Sequence, residues 1–115
     1  MKTSLLALAV AVTMTATPAL ADAIVGTWRT GSGETARIAE CGSAFCITLQ
    51  TGTYAGQQIG RVSLSGNRYV GNITDPAEGR QYKGRARLSG NTLNMTGCFG
   101  VCTPITSRTE AWKRQ

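Results

Sequence analysis

Arg80-Gln81-Tyr82-Lys83-Gly84-Arg85-Ala86-Arg87-Leu88-Ser89-Gly90-Asn91-Thr92-Leu93-Asn94-Met95-Thr96-Gly97 decides the fold class. Tyr82, Gly84, Ala86 and Leu88 fall on one face of an extended chain, and Gln81, Lys83, Arg85 and Arg87 on the other. After Ser89-Gly90-Asn91 the period of two resumes. Leu93, Met95 and Gly97 oppose Thr92, Asn94 and Thr96. Strict alternation on both sides of a Ser-Gly-Asn turn reads as an antiparallel hairpin with one packed and one wet face.

An echo lies upstream. Gly60-Arg61-Val62-Ser63-Leu64-Ser65-Gly66-Asn67 matches Gly84-Arg85-Ala86-Arg87-Leu88-Ser89-Gly90-Asn91 in pattern and turn. Two similar hairpins follow from it rather than a repeat array. Working outward, eight segments read as strands and none as a helix: 24–30, 34–40, 45–50, 59–64, 68–74, 80–88, 92–97 and 107–113. Asp75-Pro76-Ala77-Glu78-Gly79 is a turn between the fifth and sixth. Left open, eight sequential antiparallel strands expose two edges, and closing the first on the last removes them. The expected fold is all-β, a single eight-stranded antiparallel up-and-down barrel. A small β-sandwich is the alternative.

The first residues set the compartment. Lys2, the apolar run Leu5–Val12 and the small-x-small site Ala19-Leu20-Ala21 predict a signal peptide over residues 1–21. The run is shorter than the about 20 residues that cross a bilayer. The barrel domain is expected over 22–115, periplasmic or secreted, with no transmembrane segment. All four cysteines fall in that part, and an oxidising compartment makes disulfides of them. The rival, a four-thiolate zinc site, fits poorly: Cys41-x4-Cys46 and Cys98-x3-Cys102 are not paired C-x2-C knuckles, and the chain has no His.

Topology selects the pairing. Turns of an up-and-down barrel alternate between its ends, so the strand two–three turn and the strand seven–eight loop lie at opposite ends. Bonded cysteines need Cα atoms within about 7 Å. The expected bridges are therefore Cys41–Cys46 and Cys98–Cys102.

The net charge is +6, and without Lys2 it becomes +5, eleven Lys and Arg against six Asp and Glu. The basic residues are spread along strands, with no basic tract and no RNA-binding aromatic signature. No nucleic-acid role is expected, and a solvated basic surface is the plain reading. The chain has no His to activate a Ser, Thr or Cys nucleophile, and its glycines punctuate strands rather than open a helix. Asp75 and Glu78 lie in a turn, where solvated carboxylates are ordinary. No enzyme activity, metal or cofactor is expected.

One barrel end has tight turns, and the other has the longer 51–58, 75–79 and 98–106 connections. Long loops on a rigid scaffold carry function more often than tight turns do. That end is the candidate mouth, presenting Tyr54, Asp75, Glu78, Arg80 and Phe99. Two functions follow. In the first, the barrel carries or senses a small apolar or amphipathic ligand, and basic residues near the mouth would favour an anionic one. Gly60, Gly71, Gly84, Ala86 and Gly97 would leave room, and Tyr82, Leu88, Leu93 and Met95 would line the pocket. The same small residues also suit a curved and filled barrel. In the second, the stapled loop with Phe99 and Val101 plugs an envelope protein such as a protease or lysozyme.

Gly26-x-Trp28 at the start of strand one is similar to the opening of lipocalins and their relatives. That likeness implies that Trp28 plugs the closed end under a basic residue of the last strand, here Arg114. A fuller pattern runs Ile24-Val25-Gly26-Thr27-Trp28, Glu40-Cys41-Gly42, Phe45-Cys46, Asp75-Pro76 with Gly79 and Tyr82, Gly97-Cys98, Cys102, and Trp112 with Arg114. It resembles the bacterial family called domain of unknown function 2147, small exported lipocalin-like proteins. The chain departs from that family in its middle. Thr48-Leu49-Gln50-Thr51 replaces an apolar stretch, which argues against a roomy interior.

Overall fold

A computed structural model describes residues 23–115. The expected signal peptide and the start of the domain at residue 22 lie outside the described residues. The described chain is a closed antiparallel barrel in sequence order, β1 through β8. Its strands are β1 (Gly26–Arg29), β2 (Thr35–Cys41), β3 (Ala44–Leu49), β4 (Gln58–Ser65), β5 (Arg68–Asp75), β6 (Arg80–Ser89), β7 (Thr92–Cys98) and β8 (Ser107–Arg114). The closed ring excludes the sandwich.

The hairpin of residues 80–97 forms as its alternation requires. Leu88 faces Leu93, Ala86 faces Met95 and Gly84 faces Gly97 across the β6–β7 ladder. Ala86, Leu93 and Met95 are buried, while Lys83, Arg85 and Arg87 are exposed. The Ser-Gly-Asn turns need a left-handed residue, and Gly66 and Gly90 supply it with φ of 64° and 59°.

The first strand is shorter than its apolar pattern implied. It begins at Gly26 because Ala23 and Ile24 form a 3-10 turn beneath the barrel. That turn is a cap: the Trp28 indole N–H donates to the Ile24 carbonyl at 3.0 Å. Trp28 is fully buried, and the Arg114 guanidinium carbon sits 4.3 Å from its ring centroid. Arg114 also donates to the carbonyls of Val25 (3.2 Å) and Ala23 (2.6 Å). Gly26 makes room for this contact. A Cβ there would lie 2.9 Å from Arg114 Nη1, and its φ of 147° disfavours other residues. β1 and β8 share only two register pairs, Trp28 with Arg114 and Arg29 with Lys113. The ring is sealed at the same residues that plug it.

The barrel axis is filled. Trp28, Ile38, Ile47, Val62, Tyr69 and Leu93 are buried to 1% exposure or less. The inward glycines are occupied by neighbours. Ile47 fills the space at Gly60, and Ile73 that at Gly84: a Cβ at these positions would lie 3.0 and 2.5 Å from the two isoleucine side chains. At Gly71 the chain itself intrudes, since a Cβ would lie 1.9 Å from the Arg61 carbonyl oxygen. The small residues therefore let the strands approach and the barrel curve.

Two outcomes are expected from equilibrium urea unfolding. Arg114→Ala loses a cation–π contact and two charged hydrogen bonds, and should cost about 2–3 kcal/mol. A loss under about 0.5 kcal/mol would mean that the contact does not hold the seam. Gly71→Ala meets backbone that cannot rotate away and should cost at least about 3 kcal/mol. Gly97→Ala meets only Tyr82 at 3.7 Å, and should be neutral to about 1 kcal/mol stabilising. Equal losses for the two glycines would refute this account of the packing.

Candidate functional site

The β7–β8 loop, residues 99–106, rises at the barrel end away from Trp28. Leu93 and Met95 point inward along β7, and the same phase directs Phe99 over the mouth. There it meets Tyr82 edge-on at 6.0 Å. The Arg80 guanidinium carbon lies 5.0 Å from the Phe99 ring centroid. Register explains the grouping. Arg80 and Tyr82 are inward-phase residues at the start of β6, and Lys83 pairs with Cys98. Two of the five expected mouth residues, Arg80 and Phe99, thus form one cluster with Tyr82, a residue expected to line the pocket.

The other three, Asp75, Glu78 and Tyr54, are placed differently, with Glu78 exposed in the β5–β6 turn. Asp75 caps its own turn: Oδ1 accepts from the N–H groups of Ala77 (3.0 Å) and Glu78 (3.4 Å), and its carbonyl accepts from Gly79 at 2.8 Å. This is local turn chemistry. Tyr54, on the β3–β4 loop, packs half-buried against the core. Leu93 and Met95, expected to line a pocket, are buried core, and Leu88 packs against that core.

The loop is braced twice. Cys98 is bonded to Cys102, with Cα atoms 5.2 Å apart. The Thr106 hydroxyl donates to the Val101 carbonyl at 2.6 Å, and the Thr103 N–H donates to that hydroxyl at 2.9 Å. The Phe99 N–H donates to the Thr106 carbonyl at 3.3 Å. This braced frame displays apolar side chains to solvent. Phe99 is 54% exposed, Val101 77% and Ile105 95%. Of the large hydrophobic residues described, only Leu64, at the opposite end, is also exposed. Ile105 escaped the sequence reading because a single apolar residue after Pro104 carries no periodicity to mark it.

β8 contributes a further pair that the sequence did not single out. The Trp112 indole N–H donates to Glu110 Oε1 at 2.5 Å, and the same oxygen takes the Gly31 N–H at 3.4 Å. Glu110 thereby ties β8 to the β1–β2 turn where the ladder between those strands has ended. Its inward phase beside Trp112 was the available signal.

The second disulfide, Cys41–Cys46, spans 5.8 Å between Cα atoms and closes the β2–β3 turn at the plugged end. Arg61 lies beside it, donating to the Cys41 carbonyl at 3.4 Å. Among the described residues no helix is long and apolar enough to cross a membrane.

No match is found among curated proteins or among solved structures. A family profile described as "Uncharacterized protein conserved in bacteria (DUF2147)" matches residues 53–114. The match begins in the β3–β4 loop and runs through β4–β8, taking in the Arg80–Tyr82–Phe99 cluster and Arg114. β1–β3, with Trp28 and the Cys41–Cys46 bridge, precede it. Matched over more than half of its length, the chain belongs to this family of bacterial proteins, DUF2147.

Proposed function

We propose that this is an exported protein-interaction module of the cell envelope, whose β7–β8 loop docks on another envelope protein. The carrying observation is the loop itself, with three exposed apolar side chains held on one disulfide-closed frame. Exposed hydrophobic groups that cluster mark contact sites, whereas scattered ones do not. A braced loop loses little conformational entropy on docking, so more of its contact energy appears as affinity. The reading of export rests on Lys2, Leu5–Val12 and Ala19–Ala21, and the two disulfides agree with an oxidising compartment. The role is binding rather than catalysis.

A second reading keeps the small ligand but moves it to the rim. Phe99, edge-on to Tyr82 and beneath Arg80, offers an apolar ring and a cation side by side. That pairing suits a small amphipathic anion. A seat deep in the barrel has less to support it, because the axis is occupied by Trp28, Ile38, Ile47 and Tyr69.

The exposed position of Phe99 lets Phe99→Ala separate function from folding. Inhibition of a panel of envelope proteases and lysozymes, and capture from periplasmic extract, should weaken by about 30-fold or more, as for a central aromatic anchor. Urea stability should fall by no more than about 1–2 kcal/mol, the worth of the Tyr82 and Arg80 contacts. Inhibition or capture that Phe99→Ala leaves intact would defeat the loop reading. Native mass spectrometry of the protein from its own periplasm tests the second reading. A small-molecule adduct lost on denaturation and on Phe99→Ala would support the rim site. An adduct that survives Phe99→Ala would place the ligand elsewhere and overturn the rim reading.

A further inference from the structure

The outer face of the barrel gathers charge that the sequence disperses. Arg85 and Arg87 point outward from β6, both exposed. At a strand rise of about 3.4 Å per residue, their Cα atoms are about 7 Å apart. Across the β6–β7 ladder Arg85 faces Thr96, and Arg87 faces Asn94. On the other flank β5 supplies Arg68, beside Tyr69, which pairs with Ala86. Arg68, Arg85, Arg87, Asn94 and Thr96 line one shallow depression. Its floor is β6 backbone at Ala86, whose own side chain is buried inside the barrel.

The three guanidinium groups have no hydrogen-bond or ion-pair partner among the described residues. No carboxylate lines the depression. The described acids lie elsewhere: Glu34 and Glu78 in turns, Asp75 capping its own turn, and Glu40 and Glu110 in the inward phase of β2 and β8. Like charges on neighbouring strand positions repel, so this arrangement weakens the free protein slightly and favours a bound anion. Guanidinium pairs bind phosphate oxygens through two parallel hydrogen bonds, and the Asn94 amide adds a neutral donor.

We infer that the depression between Arg68, Arg85 and Arg87 on the outer face of β5–β7 binds a phosphate-bearing anion. The phosphate is either free in solution or the headgroup of an anionic lipid. The site is separate from the β7–β8 loop and stands whether or not that loop docks a protein.

Two probes distinguish the sources: inorganic pyrophosphate by calorimetry, and co-sedimentation with phosphatidylglycerol vesicles against phosphatidylcholine vesicles. The key variant is the double substitution Arg85→Gln with Arg87→Gln, which removes two positive charges from exposed positions. The control is Arg37→Glu, an equal change of charge on exposed β2, four strands away around the ring. Binding should fall about fivefold per charge at the site, about 25-fold for the pair. Arg37→Glu should change it by less than about twofold, since salt screens charges more than about 10 Å apart. Pyrophosphate binding that follows this pattern assigns a free phosphate. Binding to phosphatidylglycerol vesicles alone, with the same pattern, assigns a headgroup. The inference is overturned if neither probe binds, or if Arg37→Glu weakens binding as much as the double variant.

Discussion

The contact between Arg114 and Trp28 is the constraint on which the barrel depends. A sheet of eight sequential strands becomes a ring only if the first strand meets the last. Here β1 is four residues long and offers β8 just two register pairs. So short a ladder is a weak closure by itself. Arg114 adds to it at the same point, covering the indole and tying down the carbonyls of Ala23 and Val25. One side chain thus seals the seam, anchors the entering chain and lids the aromatic plug. Glu110 performs a smaller version of this task higher up, where the ladder has run out.

A small ring has a small interior, and this one spends it on packing. Strands brought close by Gly60, Gly71 and Gly84 leave room for Ile47 and Ile73 and little else. Phe45 and Tyr69 meet edge-on at 6.0 Å across the core. A barrel with a filled axis presents its chemistry on its rims and walls. That is where the exposed features of this chain are found, the apolar β7–β8 loop at one end and the basic depression on the outer wall.

The two disulfides are local, closing sequence separations of five and four residues. Loops this short contribute little through chain entropy compared with long ones. Their effect is on shape. Cys41–Cys46 pins a tight turn at the plugged end, and Cys98–Cys102 fixes the base of the one loop that carries exposed Phe, Val and Ile.

The sequence by itself determined the strands, their order and the disulfide pairing. Alternation with a period of two is a local property, so residues 80–97 declare a hairpin without help from the rest of the chain. Bridges between cysteines four or five residues apart are nearly local too. Gly26, Trp28 and Arg114 could be matched because their spacing follows from the ends of the first and last strands. The tertiary structure alone decided whether inward glycines mean space or contact, because that depends on side chains from neighbouring strands. It also decided that Asp75 serves its own turn while Arg80 stacks on Phe99, a matter of register between β6 and β7. The cluster of Arg68, Arg85 and Arg87 likewise exists only once β5 and β6 lie side by side. Residues separated by a turn and a full strand have no periodicity in common, and only the ladder between them makes them neighbours.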